Sequence, residues 1–118
     1  MFHNNRNIFE DKELYITKRK LELVQLKHPQ ESKYINNNEF QIILDNTIAN
    51  CGYSKDNDIL NFISYFDNKY ILYGISNNSY YIYLTTIFYP SKKQLNNCKN
   101  TINFFNLNAK EIFEDYLK

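Results

Sequence analysis

The chain is poor in the residues that punctuate loops: only two glycines and two prolines occur in 118 residues. Gly52 and Gly74 build no glycine-rich phosphate loop, and neither a nucleophile elbow nor a paired-histidine metal signature is present. Cysteine is as scarce. Cys51 and Cys98 lack a metal-ligand spacing, and two cysteines cannot form a disulfide framework for a chain of this size, so two reduced thiols are expected. No uninterrupted apolar run is long enough to span a bilayer, and the opening MFHNNRNIFEDKEL is polar rather than a signal peptide. These features predict a cytoplasmic protein with no membrane partner. Excess charge is lacking too. Fourteen Lys and Arg against thirteen Asp and Glu leave a net charge of +1, which excludes a global electrostatic pull on nucleic acid but leaves local patches open. Two such patches stand out: Lys18, Arg19, Lys20 and Lys27 in one segment, and Lys92, Lys93 and Lys99 in another. A solvated helix face is the usual meaning of such clusters.

Asn, Lys, Ile and Tyr are abundant. An AT-rich coding sequence produces this bias, so the Asn-rich patches are not read as motifs. The strongest pattern is Asp58 to Pro90, which predicts three consecutive antiparallel strands broken at Asp67-Asn68 and at Ser76-Asn77-Asn78. Alternation along the last strand places Tyr80, Ile82, Leu84, Thr86 and Phe88 on a core face. Tyr81, Tyr83, Thr85, Ile87 and Tyr89 fall on a hydroxyl-rich face, suited to an interface or a flat ligand.

Ahead of this meander, residues 1–12 read as a polar, mobile N-terminus, and 13–118 as a single α+β domain. Glu13 to Ile16 is a short strand or an extended lead-in. Thr17 is positioned to cap a helix through Lys27, which Pro29 stops or kinks. Asn38 is positioned to cap a helix from Glu39 to about Ala49 with an apolar stripe of Phe40, Ile43, Leu44 and Ile48, ended by Gly52. After the meander, Ser91 opens a short helix through Cys98. A terminal helix capped by Asn108 or Asn106 ends near Leu117, with Ile112, Phe113 and Tyr116 on its buried side. The expected fold is therefore α+β: N-terminal helices on a three- to four-stranded antiparallel meander, followed by a C-terminal helix. Phe40, Ile43, Leu44, Ile82, Leu84 and Phe88 are its expected core.

His3 lies in the polar start, which leaves His28 as the one histidine within the expected fold and the natural acid/base candidate. The stretches LYITKRKLELVQLKHPQESKY, EFQIILDNTI, DNDILNFISYFDNKYILYGIS and YYIYLTTIFYPSKKQL, in that order, resemble the phage-associated branch of the barnase/EndoU/colicin/RelE-like ribonuclease superfamily. That branch carries a helix ending in H-I-x-x-R-H-P and a last meander strand with an Arg-Thr or Ser/Thr-Thr pair. The similarity covers about Leu14 to Asn97. His28, Pro29 and Thr86 match the motifs. Lys27 stands in place of an arginine, Leu23 in place of the first histidine, and Thr85 in place of the strand arginine.

The resemblance implies a metal-independent endoribonuclease, toxin-like or phage-encoded and free of cofactors, in which a ribose 2′-hydroxyl attacks the neighbouring phosphate. His28 is the implied acid or base, Lys27 offsets phosphate charge, and Thr85 or Thr86 bonds a phosphate oxygen, with Tyr81 and Tyr83 stacking on bases beside Arg19 and Lys92. The resemblance favours Thr86 and the face argument favours Thr85; on an ideal strand the two serve one site only if a bulge intervenes. RNA and a cognate immunity or antitoxin protein are the implied partners. The competing expectation is an inactive binding module of inhibitor or immunity type, using the tyrosine-rich sheet face as a protein interface.

Overall fold

The computed structural model describes residues 14–27, 29, 40–54, 59–77 and 82–118. Their architecture is α+β. In chain order the elements are β1 (Leu14–Tyr15), α1 (Lys18–Lys27), α2 (Phe40–Asp45), β2 (Thr47–Ser54), β3 (Ile59–Phe66), β4 (Lys69–Asn77) and β5 (Ile82–Phe88). They are followed by α3 (Lys92–Cys98), a 3-10 turn (Lys99–Thr101), β6 (Asn103–Phe104) and α4 (Leu107–Leu117). The strands form one sheet in the order β1-β5-β4-β3-β2-β6, antiparallel throughout except for the parallel pair of β1 and β5. One face meets α1 and α2 through Val24, Phe40, Ile43 and Leu44, packed with Phe62, Ile71, Tyr73, Ile75, Ile82, Leu84 and Ile87. The other face meets α3 and α4 through Leu95 and Phe113, packed with Ala49, Ile63 and Tyr70. Each large apolar side chain so buried contributes roughly 1.5–3 kcal/mol.

The meander forms as the sequence predicts, with more strands than expected. Asp67 and Asn68 both hold positive φ, 56° and 59°, the backbone of a two-residue hairpin turn, and they close the β3–β4 pair between Phe66 and Lys69. The second break lies later than expected. Ser76 and Asn77 are strand residues paired with Tyr83 and Ile82; Asn78, the last residue of the expected break, lies outside the described residues.

A fourth antiparallel strand, β2, takes the last residues of the expected Glu39–Ala49 helix and those that follow it. That helix ends at Asp45. The Asn46 side-chain amide donates to the Ile42 carbonyl at 2.8 Å and the Thr47 hydroxyl to the Leu44 carbonyl at 2.8 Å, so side chains take the last-turn carbonyls and the helix stops. The chain then pairs with β3 along its length, a tertiary gain that outweighs local helix pattern. Ile48 and Ala49 consequently pack against the α3/α4 side. Gly52 ends no helix; at φ 97° it sits in a β-bulge of β2, its amide donating to Asn50 Oδ1 at 2.6 Å. The expected Asn38 cap and the 1–12 segment lie outside the described residues.

Helix starts were legible. Thr17 Oγ1 accepts from the Lys20 amide at 3.1 Å, Ser91 and Gln94 form a reciprocal capping box, and Asn106, not Asn108, caps α4 by accepting from the Ala109 amide at 2.8 Å. That cap sets the rotation of α4. The row Ala109, Phe113 and Leu117 faces the sheet, while Ile112 and Tyr116, expected inside, stay 44% and 38% exposed.

The feature of β5 that matters for function is a bulge. Gly74 pairs with Thr86 and Ile75 with Leu84, which leaves Thr85 as an extra residue. One added residue reverses the alternation beyond it. Ile87 therefore joins Ile82 and Leu84 in the α1/α2-side core with Tyr89 packed against it, and Phe88, expected inside, is only half-buried.

Candidate functional site

Helix α1 reads KRKLELVQLK, four basic residues against one acidic. Three of the four stand in its first turn, where the helix dipole disfavours positive charge, so this placement costs stability. Lys20, Leu23, Val24 and Lys27 form one row at i, i+3, i+4 and i+7, and that row lies against β5. Val24 is the buried residue that docks the helix. Between the row and Thr85, Thr86 and Ile87 is a cavity of about 170 Å³. Past Tyr83 the outer edge of β5 has no strand partner among the described residues, so main-chain polar groups of the bulge border this space.

Lys27, Thr85 and Thr86 thus line one cavity with Lys20, which sequence reasoning counted only as part of a basic cluster, although the bulge turns the Thr86 side chain to the other face of the sheet. Leu23, at the position of the resembled motif's first histidine, lines the same cavity. The Thr85 hydroxyl donates to the Gly74 carbonyl at 2.8 Å, which leaves its oxygen as an acceptor rather than a phosphate donor. A Cβ built on Gly74 would stand 2.9 Å from Cγ2 of Thr86. Gly74 lies between Tyr73 and Ile75, which face α1 and α2, so the Thr86 methyl closes over the opposite face of the sheet. Neither Lys20 nor Lys27 is held in an ion pair among the described residues.

The remaining candidates lie elsewhere. Arg19 is exposed and outside the row that lines the cavity. Tyr83 alternates away from Ile82 and Leu84 onto the other face, its ring 6.4 Å from that of Tyr15. Lys92 belongs to the helical layer across the sheet, with Nζ 4.8 Å from the centre of the Tyr116 ring. His28, directly after Lys27 in the chain, and Tyr81 lie outside the described residues.

Two further polar groupings went unforeseen. Thr47, Ser64 and Tyr73 bury their hydroxyls together under α2. Thr47 donates to the Leu44 carbonyl and Ser64 to the Ile43 carbonyl at 2.6 Å, so the 2.7 Å contact between Tyr73 and Thr47 is made with the tyrosine as donor. Burial raises the Tyr73 phenol far above its ordinary range, and the cluster, closed to solvent, anchors the helix. Cys51 and Cys98 meet across the α3/α4 face. Burial, then the neighbouring Cys98, push the Cys51 thiol to about 12; burial also raises the Cys98 thiol, whose S–H donates to the Leu95 carbonyl at 3.5 Å. No sequence spacing signals either grouping, because each depends on the register of β2. A groove of about 550 Å³ between α3 and α4 has Ile102, Phe104 and Phe113 at its base and Lys99 and Lys110 among its exposed lining.

Among the described residues no helix is long and apolar enough to cross a membrane. Compared with known proteins, the chain matches no family model, no curated protein and no solved structure. The ribonuclease resemblance therefore rests on the sequence alone, on the order of its four stretches and the matches at His28, Pro29 and Thr86.

Proposed function

We propose that the protein is a metal-independent endoribonuclease, toxin-like or phage-encoded, which holds a backbone phosphate of RNA in the cavity between α1 and β5. The observation that carries this reading is the convergence of Lys20 and Lys27 with the Thr85–Thr86 bulge. Seven residues apart, the two lysines stand about 10 Å apart along the helix axis, a span that serves neighbouring phosphates of one strand. His28 takes the proton of the ribose 2′-hydroxyl, whose oxygen attacks phosphorus. The bond to the 5′ oxygen breaks, leaving a cyclic phosphate and a 5′-hydroxyl. The leaving oxygen takes its proton from solvent, since Leu23 stands where the resembled family has its first histidine, and a slow enzyme follows.

The test is incubation of the purified protein with a mixed RNA pool, with and without a chelator, and analysis of fragment ends. Cyclic phosphate and 5′-hydroxyl ends that persist in chelator support the reading. Ends produced only with a divalent metal, or equal cleavage by His28→Ala, overturn it.

A binding module without catalysis is the second reading, and the bond from Thr85 to Gly74 favours it by spending the hydroxyl proton that a phosphate would need. The tyrosine-rich face of the last strand is divided by the bulge, since Ile87 and Tyr89 pack on the α1/α2 side while Tyr83 stays on the other. RNA bound without cleavage, or tight stoichiometric capture of an immunity-type protein, would favour this second reading.

A further inference from the structure

The sequence separates Cys51 and Cys98 widely, yet the fold sets them side by side. Cys51 is the unpaired residue of the β2 bulge, since Asn50 pairs with Phe62 and Gly52 with Asn61. Cys98 ends α3. The Thr101 hydroxyl reaches both main-chain carbonyls, at 2.8 Å to Cys98 and 3.4 Å to Cys51, so the two backbones approach within one side chain of each other. Both side chains pack against the same apolar cluster and both are half-buried, and Cys98 adds to the rise of the Cys51 thiol. Backbones this close, with both side chains on one cluster, favour the approach that a disulfide requires.

We infer that Cys51 and Cys98 are a reversible dithiol–disulfide pair, oxidised by exchange with a low-molecular-weight disulfide such as oxidised glutathione. Cys98, at the end of α3 and the less strongly raised of the two thiols, is the first nucleophile. Its thiolate attacks one sulfur of the small disulfide, forming a mixed disulfide and expelling one glutathione thiolate, which takes up the proton that Cys98 lost. The Cys51 sulfur, giving its proton to solvent, then attacks Cys98 Sγ and expels the second glutathione thiolate. Two protein thiols are oxidised to one disulfide, and one small disulfide is reduced to two thiols. The bond ties β2 to the end of α3, beside the groove lined by Lys99 and Ile102. Nothing in this inference depends on the ribonuclease reading.

The experiment equilibrates the full native chain in glutathione buffers of stepped reduced-to-oxidised ratio, quenches with acid, alkylates and maps peptides without reduction. A crosslinked Cys51–Cys98 peptide, a chain mass lowered by two hydrogens and reversal by a dithiol are expected. Cys51→Ser should accumulate glutathione on Cys98 at least tenfold above the wild type at the same ratio, because the resolving thiol is gone. Cys98→Ser should leave Cys51 unmodified. Wild-type chain that accumulates mixed disulfide as Cys51→Ser does, links two chains together or stays unreacted at the most oxidising ratio would overturn the inference. Should a serine variant fail to fold, the crosslinked peptide of the wild type decides alone.

Discussion

The Thr85 hydroxyl donates a 2.8 Å bond to the Gly74 carbonyl, and that bond crosses the bulge where Thr85 and Thr86 line the α1 cavity. Gly74 has no room for a side chain: a Cβ there would stand 2.7 Å from Ile59 Cγ2, 2.9 Å from Asn61 Oδ1 and 2.9 Å from Thr86 Cγ2. Gly74→Ala should therefore destabilise the protein by about 1–3 kcal/mol, since strand atoms on both sides must shift. Urea unfolding measures the loss. Thr85→Val, which removes the bond but keeps the shape, should cost about 1 kcal/mol, and an unchanged midpoint in both variants would mean that the bulge is not held here.

Beneath α2, the stakes per hydroxyl are higher. Thr47 gives its proton to Leu44 and receives one from Tyr73, in a place with no water to substitute. Thr47→Val is close in shape but strands both partners, so a loss of about 1–3 kcal/mol is expected for each group left unpaired. Tyr73→Phe should cost less, because the Thr47 proton still reaches Leu44. The order of the two thermal midpoints is the measurement, and the reverse order would contradict the assigned donor directions.

Tyr70 presents the opposite case. Its hydroxyl is buried without a hydrogen-bond partner among the described residues, while its ring packs edge-on to Phe113 and tilted against Tyr65 and Tyr116. Tyr70→Phe keeps the packing and removes the orphan, so it should be neutral or stabilising by up to about 1 kcal/mol. Burial first, then the neighbouring Tyr65 and Tyr116, push the phenol to about 12. The folded state thus binds the proton more tightly than the unfolded chain. Its contribution is complete below the unfolded value near pH 10 and is lost as pH rises from about 10 toward 12. Stability measured across that window should fall less steeply in Tyr70→Phe than in the wild type.

The distinction between what the residues foretold and what they did not follows the range of the interactions. Thr17, Ser91 and Asn106 cap helices by bonds three residues long, and Asp67-Asn68 turns a hairpin by its own backbone preference, so all are readable locally. Phe40, Ile43 and Leu44 were found from helical periodicity for the same reason. Thr47 to Ala49 reads as helix because Ile48 continues the apolar spacing of α2, and only pairing with β3 makes it a strand. The β5 bulge has no local signal, since Leu84-Thr85-Thr86-Ile87 reads as plain alternation; the shift falls beside Gly74 on the neighbouring strand, where a side chain has no room. Lys27, Thr85 and Thr86 are legible as candidates, but which face each threonine presents depends on that shift.

If the cavity holds RNA phosphate, its two lysines should act additively and without regard to base sequence. Lys20→Gln and Lys27→Gln remove charge while leaving a long side chain over the same apolar surface, so stability should change by less than about 0.5 kcal/mol. Each should weaken binding to a single-stranded RNA uniformly across sequences. Each should also lower the slope of log affinity against log salt by about 0.7, the counterion release of one single-strand phosphate contact. Arg19→Gln, on a different row of α1, serves as the comparison and should lower the slope less. Equal effects from all three would indicate a diffuse helix charge rather than a phosphate seat. A full slope loss with Lys92→Gln would move the RNA to the other face of the sheet, because Lys92 lies over Tyr116 in that layer.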